Sequence, residues 1–264
     1  MVRFFRGPAV RVVKASRFPA AAPEWNPFPD AVRILGKDPV AWWRRTTRAR
    51  GPVHALRVIW HTALDSLFDF RHGTDTVRRI QSEHIATDSP HRAHSSAYGA
   101  TRALPFFGLL RRLELPKDVG FVDLGSGKGR ILLLAADWGF KRVTGVEFSS
   151  ALCDISRRNL AAYFRRRRPP GEVEIIESDV AAYTFRPDDG ILFLFDPFDG
   201  VVMARVLGNL RESLRLHPRP VWLLYNTPVE HALIDQSALF LESHRHWVGG
   251  TEFLVFHHPA TSPV

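Results

Sequence analysis

The sequence predicts an α/β protein with a doubly wound, mostly parallel seven-stranded sheet and a C-terminal antiparallel hairpin. From Gly120 onward, short apolar runs alternate with longer segments whose apolar residues recur at helical spacing. Strands joined in this way by crossover helices form a parallel sheet. Near the C-terminus, two strand-like runs flank Gly249 and Gly250 with no helix between them, which indicates the hairpin.

The predicted elements follow one another regularly through this region. The strands are predicted at GFVDLG, RVTGVE, VEIIES, GILFLFDPF, VWLLYN, ALFLESHRHW and TEFLVFHH. The helices are predicted at GRILLLAADWG, SSALCDISRRNLAAYF, residues 201–215 and PVEHALIDQS. In the helix at 201–215, one side collects the apolar residues expected to face the sheet, namely Met203, Val206, Leu207, Leu210 and Leu214.

Residues 1–37 are predicted to form a basic, proline-rich flexible arm. Four prolines between residues 19 and 30 forbid a helix and favour an extended chain. The net charge of +9 is concentrated at this end of the sequence. Residues 1–50 hold eleven Lys or Arg and three acids, whereas residues 51–264 hold twenty-five and twenty-four. Binding of nucleic acid or another anionic surface is therefore an open possibility for residues 1–50 only.

Residues 38–115 are predicted to form an accessory helical region, or lid, and residues 116–264 the main domain. Asp38-Pro39 is a favourable helix start, and Gly51-Pro52 ends that helix and starts a second one. The apolar face of the second helix is expected to lie against the main domain rather than on a membrane, where more Lys and Arg would be typical. That face consists of Val53, Leu56, Trp60, Ala63, Leu64 and Leu67.

Several kinds of protein are disfavoured by composition. No apolar run approaches the roughly 18 residues that a membrane span needs. The single cysteine, Cys153, excludes an internal disulfide and is typical of a reducing, cytoplasmic compartment. No metal site is predicted, because His244, His246 and the pair His257-His258 lack the cysteine or acid spacing of a zinc site.

A glycine-rich turn follows the first strand of the main domain. Gly125, Gly127 and Gly129 form a G-x-G-x-G pattern where the backbone of such a sheet approaches a ligand. A dinucleotide-binding turn would have its third glycine at position 130, which is Arg130, so a pyrophosphate is the less favoured ligand. Glu147 ends the second strand, where its carboxylate can accept hydrogen bonds from both hydroxyls of a ribose.

These residues carry a resemblance to a known family. VDLGSGKGR followed by VTGVEFS resembles motif I and its partner in class I S-adenosylmethionine (SAM)-dependent methyltransferases. The resemblance covers about residues 120–257 and extends through ESDV at 177–180. DTVRRI, the pair Tyr98 and Thr101, and FDPF also resemble a bacterial subgroup of these enzymes. The resemblance implies a Rossmann-like methyltransferase fold, SAM as cofactor, and SAM contacts from Tyr98, Thr101, Asp123, Gly125, Ser126, Gly127, Gly129, Glu147, Phe148, Asp179 and Val180.

The chemistry of SAM suits these positions. Backbone N–H groups of a glycine turn at a helix start suit its carboxylate. Asp123 is expected to act on the ammonium directly or through water, and Glu147 to hold the ribose. Asp179 occupies the position at which the family contacts the adenine amino group.

The acceptor is expected at the polar ends of two later strands. Asp196, Pro197 and Phe198 follow ILFLF, and Tyr225 and Asn226 end VWLLYN. Asp196 and Asn226 are the predicted catalytic residues, and Pro197, Phe198 and Tyr225 the predicted substrate contacts. FDPF partly resembles the Asp-Pro-Pro-aromatic loops of amino-methyltransferases, although Asp196 could instead only cap a helix.

Three functions remain open from the sequence. The favoured one is methyl transfer from SAM to an acceptor that is a protein amine, a nucleobase or a small molecule. The second is a nucleotide- or NAD-linked oxidoreductase, against which Arg130 argues. The third is a non-catalytic SAM-fold module that binds an anionic partner through its basic arm.

Overall fold

The computed structural model describes residues 11–14, 38–78, 100–165, 168–195 and 198–260, and for residues 11–14 the backbone alone. Within these ranges, the strands form one eight-stranded sheet in the order β1-β4-β3-β2-β5-β6-β8-β7. The strands are β1 (Arg11–Lys14), β2 (Gly120–Leu124), β3 (Arg142–Glu147), β4 (Glu172–Glu177), β5 (Asp189–Phe195), β6 (Val221–Asn226), β7 (Glu242–Val248) and β8 (Thr251–His258).

The sheet is parallel at its centre and antiparallel at both edges. Strands β4, β3, β2, β5 and β6 run parallel, whereas β8 pairs antiparallel with β6 and with β7. The predicted fold class is confirmed, since β2 to β8 are the seven predicted strands and β7–β8 is the C-terminal hairpin. Strand β1 was not predicted. It lies within the segment expected to be a flexible arm and pairs antiparallel with β4.

Strand β2 lies at the point where the order of the strands reverses. The chain runs outward from β2 through β3 to β4, and then returns to the other side of β2 to form β5 and β6. Such a reversal opens a crevice at the carboxyl ends of the two central strands, where ligands bind in open α/β sheets. The turn after β2 therefore stands at the edge of this crevice.

Helices cover both faces of the sheet. They are α1 (Pro39–Arg50), α2 (Pro52–His72), α3 (Ala103–Leu110), α4 (Arg130–Trp138), α5 (Ser150–Tyr163), α6 (Gly200–Leu216), α7 (His231–Gln236) and a 3₁₀ turn at Val180–Ala182. Helices α3, α4 and α5 contribute to one apolar cluster, and α6 and α7 contribute to another on the opposite face. All five apolar residues predicted to line α6 are buried, which confirms that prediction.

The predicted bounds of α1 and the predicted start of α2 are correct, whereas the helix predicted at about 100–115 is the shorter α3. The Asp38 carboxylate accepts a hydrogen bond from the Ala41 N–H at 2.9 Å and caps α1, which begins at Pro39. Gly51, with φ of 81°, separates α1 from α2. Within the described ranges, no helix is both long and apolar enough to cross a membrane.

The predicted orientation of α2 is wrong. Its apolar face is turned outward, with Val53 68%, Trp60 62% and Leu67 58% exposed. The residues of α2 that are buried are Ala55, His61, Asp65, Ser66 and Asp69. The reason is electrostatic, because Asp65 and Asp69 both lie beside Arg130 at the start of α4. Helix α2 is thus held on the main domain through its polar face.

Candidate cofactor and acceptor site

The glycine turn is built from three left-handed residues. Gly125, Gly127 and Gly129 have φ angles of 85°, 51° and 79°, a region that side chains other than glycine rarely adopt. Helix α4 begins immediately afterwards, at Arg130. The turn therefore brings bare backbone to the crevice beside β2, as predicted.

Most of the N–H groups of this turn are used within the protein. Those of Gly125 and Ser126 both donate to the Val146 carbonyl oxygen, at 2.9 and 3.0 Å. Those of Gly127 and Gly129 donate to Glu147 and to the Ser126 carbonyl oxygen. The structure thus gives these four donors internal acceptors rather than leaving them for the carboxylate of a ligand.

Glu147 connects the turn to the end of β3. Its Oε2 accepts a hydrogen bond from the Gly127 N–H and its Oε1 accepts one from the Ser149 N–H, both at 2.9 Å. The side chain is 3% exposed, and this burial raises its pKa to about 7 although the backbone donors act in the opposite direction. A carboxylate has about four acceptor sites, so Glu147 retains capacity for the two hydroxyls of a ribose.

Asp123 adds a second buried carboxyl group next to the first. It lies in β2 and is 4% exposed. Burial first, and the charge of Glu147 second, raise the pKa of Asp123 well above its ordinary value. Because a cation nearby would relieve both effects, this corner suits a ligand that combines a positive charge with a ribose. SAM has both.

Three further predicted SAM contacts, among them the predicted adenine contact Asp179, lie at the ends of β3 and β4. Phe148 follows Glu147 directly and is half-buried. One oxygen of Asp179 accepts a hydrogen bond from the Ala181 N–H at 2.8 Å and caps the 3₁₀ turn. Val180 is buried in an apolar cluster. Since β3 and β4 are paired neighbours, the structure brings these three residues to the same edge of the sheet as Glu147.

The remaining predicted SAM contacts differ in their placement. The buried hydroxyl of Ser126 has no hydrogen-bond partner among the described residues. Thr101 is buried just before α3, and Tyr98 lies outside the described residues. Gly129 has a packing role, because a Cβ there would lie 2.1 Å from the Ser156 Oγ on α5. Helix packing alone therefore explains why position 129 is a glycine, and no ligand is needed to explain it.

A cavity of about 1080 Å³ lies at the end of β5, the strand that pairs with β2. Its walls come from α1 and α2, the ends of β5 and β6, and the turn of the β7–β8 hairpin. Phe195 and Asn226, the last residues of β5 and β6, both line it. The Asn226 Oδ1 accepts a hydrogen bond from the Thr227 hydroxyl at 3.3 Å. The cavity thus lies between the predicted lid and the strand ends at which the acceptor was expected.

Two other predicted acceptor residues, Tyr225 and Phe198, do not line this cavity. Tyr225 is fully buried, and its hydroxyl accepts a hydrogen bond from the Glu230 N–H at 3.2 Å. Phe198 is buried in the same apolar cluster as Tyr225. Neither lines the cavity, so their predicted contacts with substrate have no counterpart in it. Asp196 and Pro197 lie outside the described residues.

Sequence reasoning missed the role of the two basic residues of the glycine turn. Lys128 is fully buried, and its ammonium lies 3.0 Å from the Asp75 carboxylate. Arg130 donates to Asp65 at 2.5 Å and to the Thr76 hydroxyl at 2.6 Å. Both side chains hold the accessory region against the turn. The sequence contained a signal, since Asp75 and Thr76 open the DTVRRI segment.

The raised pKa of Glu147 predicts two opposite pH dependences. Between pH 4.5 and about 7 the folded protein retains a proton that the unfolded chain releases, so the free energy of unfolding falls as pH rises through this window. Ribose hydroxyls donate to the ionised carboxylate, so SAM affinity is expected to fall as pH drops below about 7. Urea unfolding and calorimetric titration from pH 5 to 8 measure these two trends.

Glu147→Gln is the matched variant for that experiment, because it removes the titrating proton and keeps the shape. In this variant we expect both pH dependences that Glu147 causes to disappear. We expect the variant to bind SAM at pH 8 about 10- to 100-fold more weakly than the wild type does. Unchanged pH profiles in the variant would mean that another group titrates.

Comparison with known proteins extends this assignment. A family model described as histone methylation protein DOT1 matches residues 88–178, a segment that includes the glycine turn and Glu147. A histone-lysine N-methyltransferase specific for H3 lysine-79, from Caenorhabditis elegans, is 29% identical over 133 residues, which cover 46% of this chain and 14% of that protein. The chain thus spans only a small part of this relative's length.

Solved structures resemble the chain more distantly. The methyltransferase domain of bacterial CtHen1-C has a TM-score of 0.47 at 14% identity, over 60% of this chain and 98% of that one. A precorrin-6y C5,15-methyltransferase from Geobacter metallireducens has a TM-score of 0.45 at 13% identity, over 70% and 99%. The family match over residues 88–178 and the strand order both support the resemblance to class I SAM-dependent methyltransferases expected from the sequence.

Proposed function

We propose that the protein transfers the methyl group of SAM to an acceptor bound in the cavity between α1, α2 and the ends of β5 and β6. The observation that carries this proposal is the buried pair Asp123 and Glu147 beside the glycine turn. Burial raises the pKa of both carboxyl groups and the charge of Glu147 adds to this effect at Asp123, so that a nearby cation would favour their ionised forms. Glu147 also keeps acceptor capacity for a diol. NAD offers two riboses but a pyrophosphate that this corner would repel.

SAM supplies an electrophilic methyl group on a sulfonium. Transfer breaks the sulfur–carbon bond, leaves its electron pair on sulfur as a neutral thioether, and forms a bond from an acceptor lone pair to the methyl carbon. The residues of this chain orient the reactants and exclude water, which supplies much of the rate in an in-line displacement. Asn226, which lines the cavity, is proposed to hold the acceptor, and Asp196 is proposed to take the proton that the acceptor releases.

The relative from Caenorhabditis elegans is described as acting on a histone lysine. A protein lysine is therefore one candidate acceptor for this chain. We also propose that the protein acts in the cytoplasm and that its basic residues 1–50 contact an anionic partner. These proposals rest on the sequence alone, on its single cysteine and the position of its charge.

Calorimetric titration tests the donor directly. We expect SAM and its demethylated product to bind with micromolar affinity and NAD to give no heat, because the two buried carboxyl groups suit the ammonium and the ribose of the former and repel a pyrophosphate. Transfer of a labelled methyl group from SAM to any component of a cell extract would then separate an enzyme from a non-catalytic binding module. Heat on addition of NAD with silence for SAM would overturn the proposal.

A further inference from the structure

The acceptor cavity carries a concentration of arginine side chains. Arg45 and Arg50 come from α1, Arg57 from α2, and Arg102 from the residue before α3. Three of them act together on His54, since burial first and then the charges of Arg50, Arg102 and Arg57 lower the pKa of this histidine. The arginines of the cavity therefore lie close enough for their fields to add at one place.

The two acids of the cavity, Asp65 and Glu252, are paired with residues other than Arg45, Arg50 and Arg57. Asp65 is paired with Arg130 at 2.5 Å, and Glu252 is paired with Arg245 on the neighbouring strand. Within the part of the chain that the structure describes, Arg45, Arg50 and Arg57 have no ion pair or hydrogen bond to a carboxylate. The cavity thus has a net positive field that is available to a ligand.

The size and lining of the cavity favour a small molecule over a polymer. Its volume of about 1080 Å³ is near the upper end of ordinary small-molecule sites. The indole side chains of Trp42 and Trp247 line it, and Asn226 and Thr227 place an amide and a hydroxyl at the strand end. Guanidinium groups bind carboxylates and phosphates with paired, charge-assisted hydrogen bonds.

We propose that the methyl acceptor is a small molecule bearing carboxylate or phosphate groups, bound in this cavity by Arg45, Arg50 and Arg57 and directed toward Asn226. This inference rests on the proposed methyltransferase function and names its class of substrate. It departs from the lysine acceptor of the Caenorhabditis elegans relative. A lysine ammonium would enter a field of like charge, which disfavours its binding.

The anion preference is tested by calorimetry on the full chain saturated with demethylated SAM. Tripolyphosphate and citrate are the probes, one for each kind of anion. We expect saturable binding of at least one probe, weakened by salt. The double variant R50E/R57E is expected to weaken it at least about 10-fold. The control R44E/R71E makes the same charge change on the same two helices at exposed residues that do not line the cavity, and should weaken it less than about 3-fold.

Binding of neither probe, or equal losses in the two double variants, would overturn the proposed anion site. Both variants should bind SAM like the wild type, which shows that they are folded. A fall in SAM affinity confined to R50E/R57E would also contradict the proposal, since the arginines would then serve the donor.

The acceptor itself is tested by transferring a labelled methyl group from SAM into an extract of cells that encode the protein. We expect the label in the low-mass fraction, on a product that an anion exchanger retains at neutral pH. The variant R44E/R71E should produce this labelled product, and R50E/R57E should not. Label in protein or nucleic acid would overturn this inference and leave the methyltransferase function intact. Binding of SAM with no label in any fraction would overturn the proposed function itself.

Discussion

Replacing Arg130 by methionine is expected to lower the free energy of unfolding by about 3–5 kcal/mol. Arg130 is 2% exposed and lies beside Asp65 at 2.5 Å and Asp69 at 3.7 Å. Burial already raises the pKa of both aspartates, and the arginine charge opposes that effect. Methionine fills a similar volume but removes the arginine charge that pairs with both buried carboxyl groups. Urea unfolding at pH 7 measures the loss.

The control for this experiment is Arg71→Met. Arg71 is an exposed residue near the end of α2. Substitutions at such surface positions usually change stability by less than about 0.5 kcal/mol. Because the loss in Arg130→Met comes from unpaired charge, it should shrink when pH is lowered enough to protonate the aspartates. Similar stability of the two variants would show that the buried pairs do not hold α2 in place.

Gly127→Val is expected to reduce SAM affinity by at least about 100-fold, or nearly 3 kcal/mol. Gly127 has φ of 51°, and its N–H donates to the Glu147 Oε2 at 2.9 Å. A β-branched side chain is strained in this conformation, and it would fill the space of a ligand at the turn. A backbone shift that relieves this strain would also displace the N–H that donates to Glu147. Calorimetric titration with SAM measures the change.

Gly139→Val provides the matched control. Gly139 ends α4 with φ of 100°, and a Cβ there would have no neighbour closer than 3.6 Å. It imposes the same kind of backbone strain away from the glycine turn, so stability should fall while SAM affinity stays within a few-fold. If both variants lost SAM affinity equally, the effect of Gly127→Val would be one of folding rather than of the ligand site.

The features that could be predicted from the sequence are those determined by residues close together along the chain. The strands β2 to β8 follow from short apolar runs, and the hairpin follows from Gly249 and Gly250. The glycine turn and Glu147 were predicted for the same reason. Left-handed backbone requires glycine, and a carboxylate at a strand end has a definite position relative to the turn after the neighbouring strand. These local constraints also explain why α6 buries its apolar side as expected.

The orientation of α2 could not be predicted in this way. Its apolar stripe is a stronger local pattern than its two aspartates, and apolar faces are normally buried. What reverses the helix is Arg130, which is distant in sequence and becomes its neighbour only when α4 forms. Strand β1 is a similar case, because a four-residue strand exists only through the free edge of β4.

The sequence by itself determined the sheet, the turn and the carboxylate that would hold the donor, since each depends on residues close together along the chain or on strand order. Only the tertiary structure decided which residues line the cavity at the ends of β5 and β6. It places Arg45, Arg50, Arg57 and Arg102 around one cavity with Asn226, and it buries Tyr225 instead. The physical reason is that the electrostatic potential in a cavity is the sum of contributions from side chains on separate helices and strands. The distances between these side chains are set only when the chain folds.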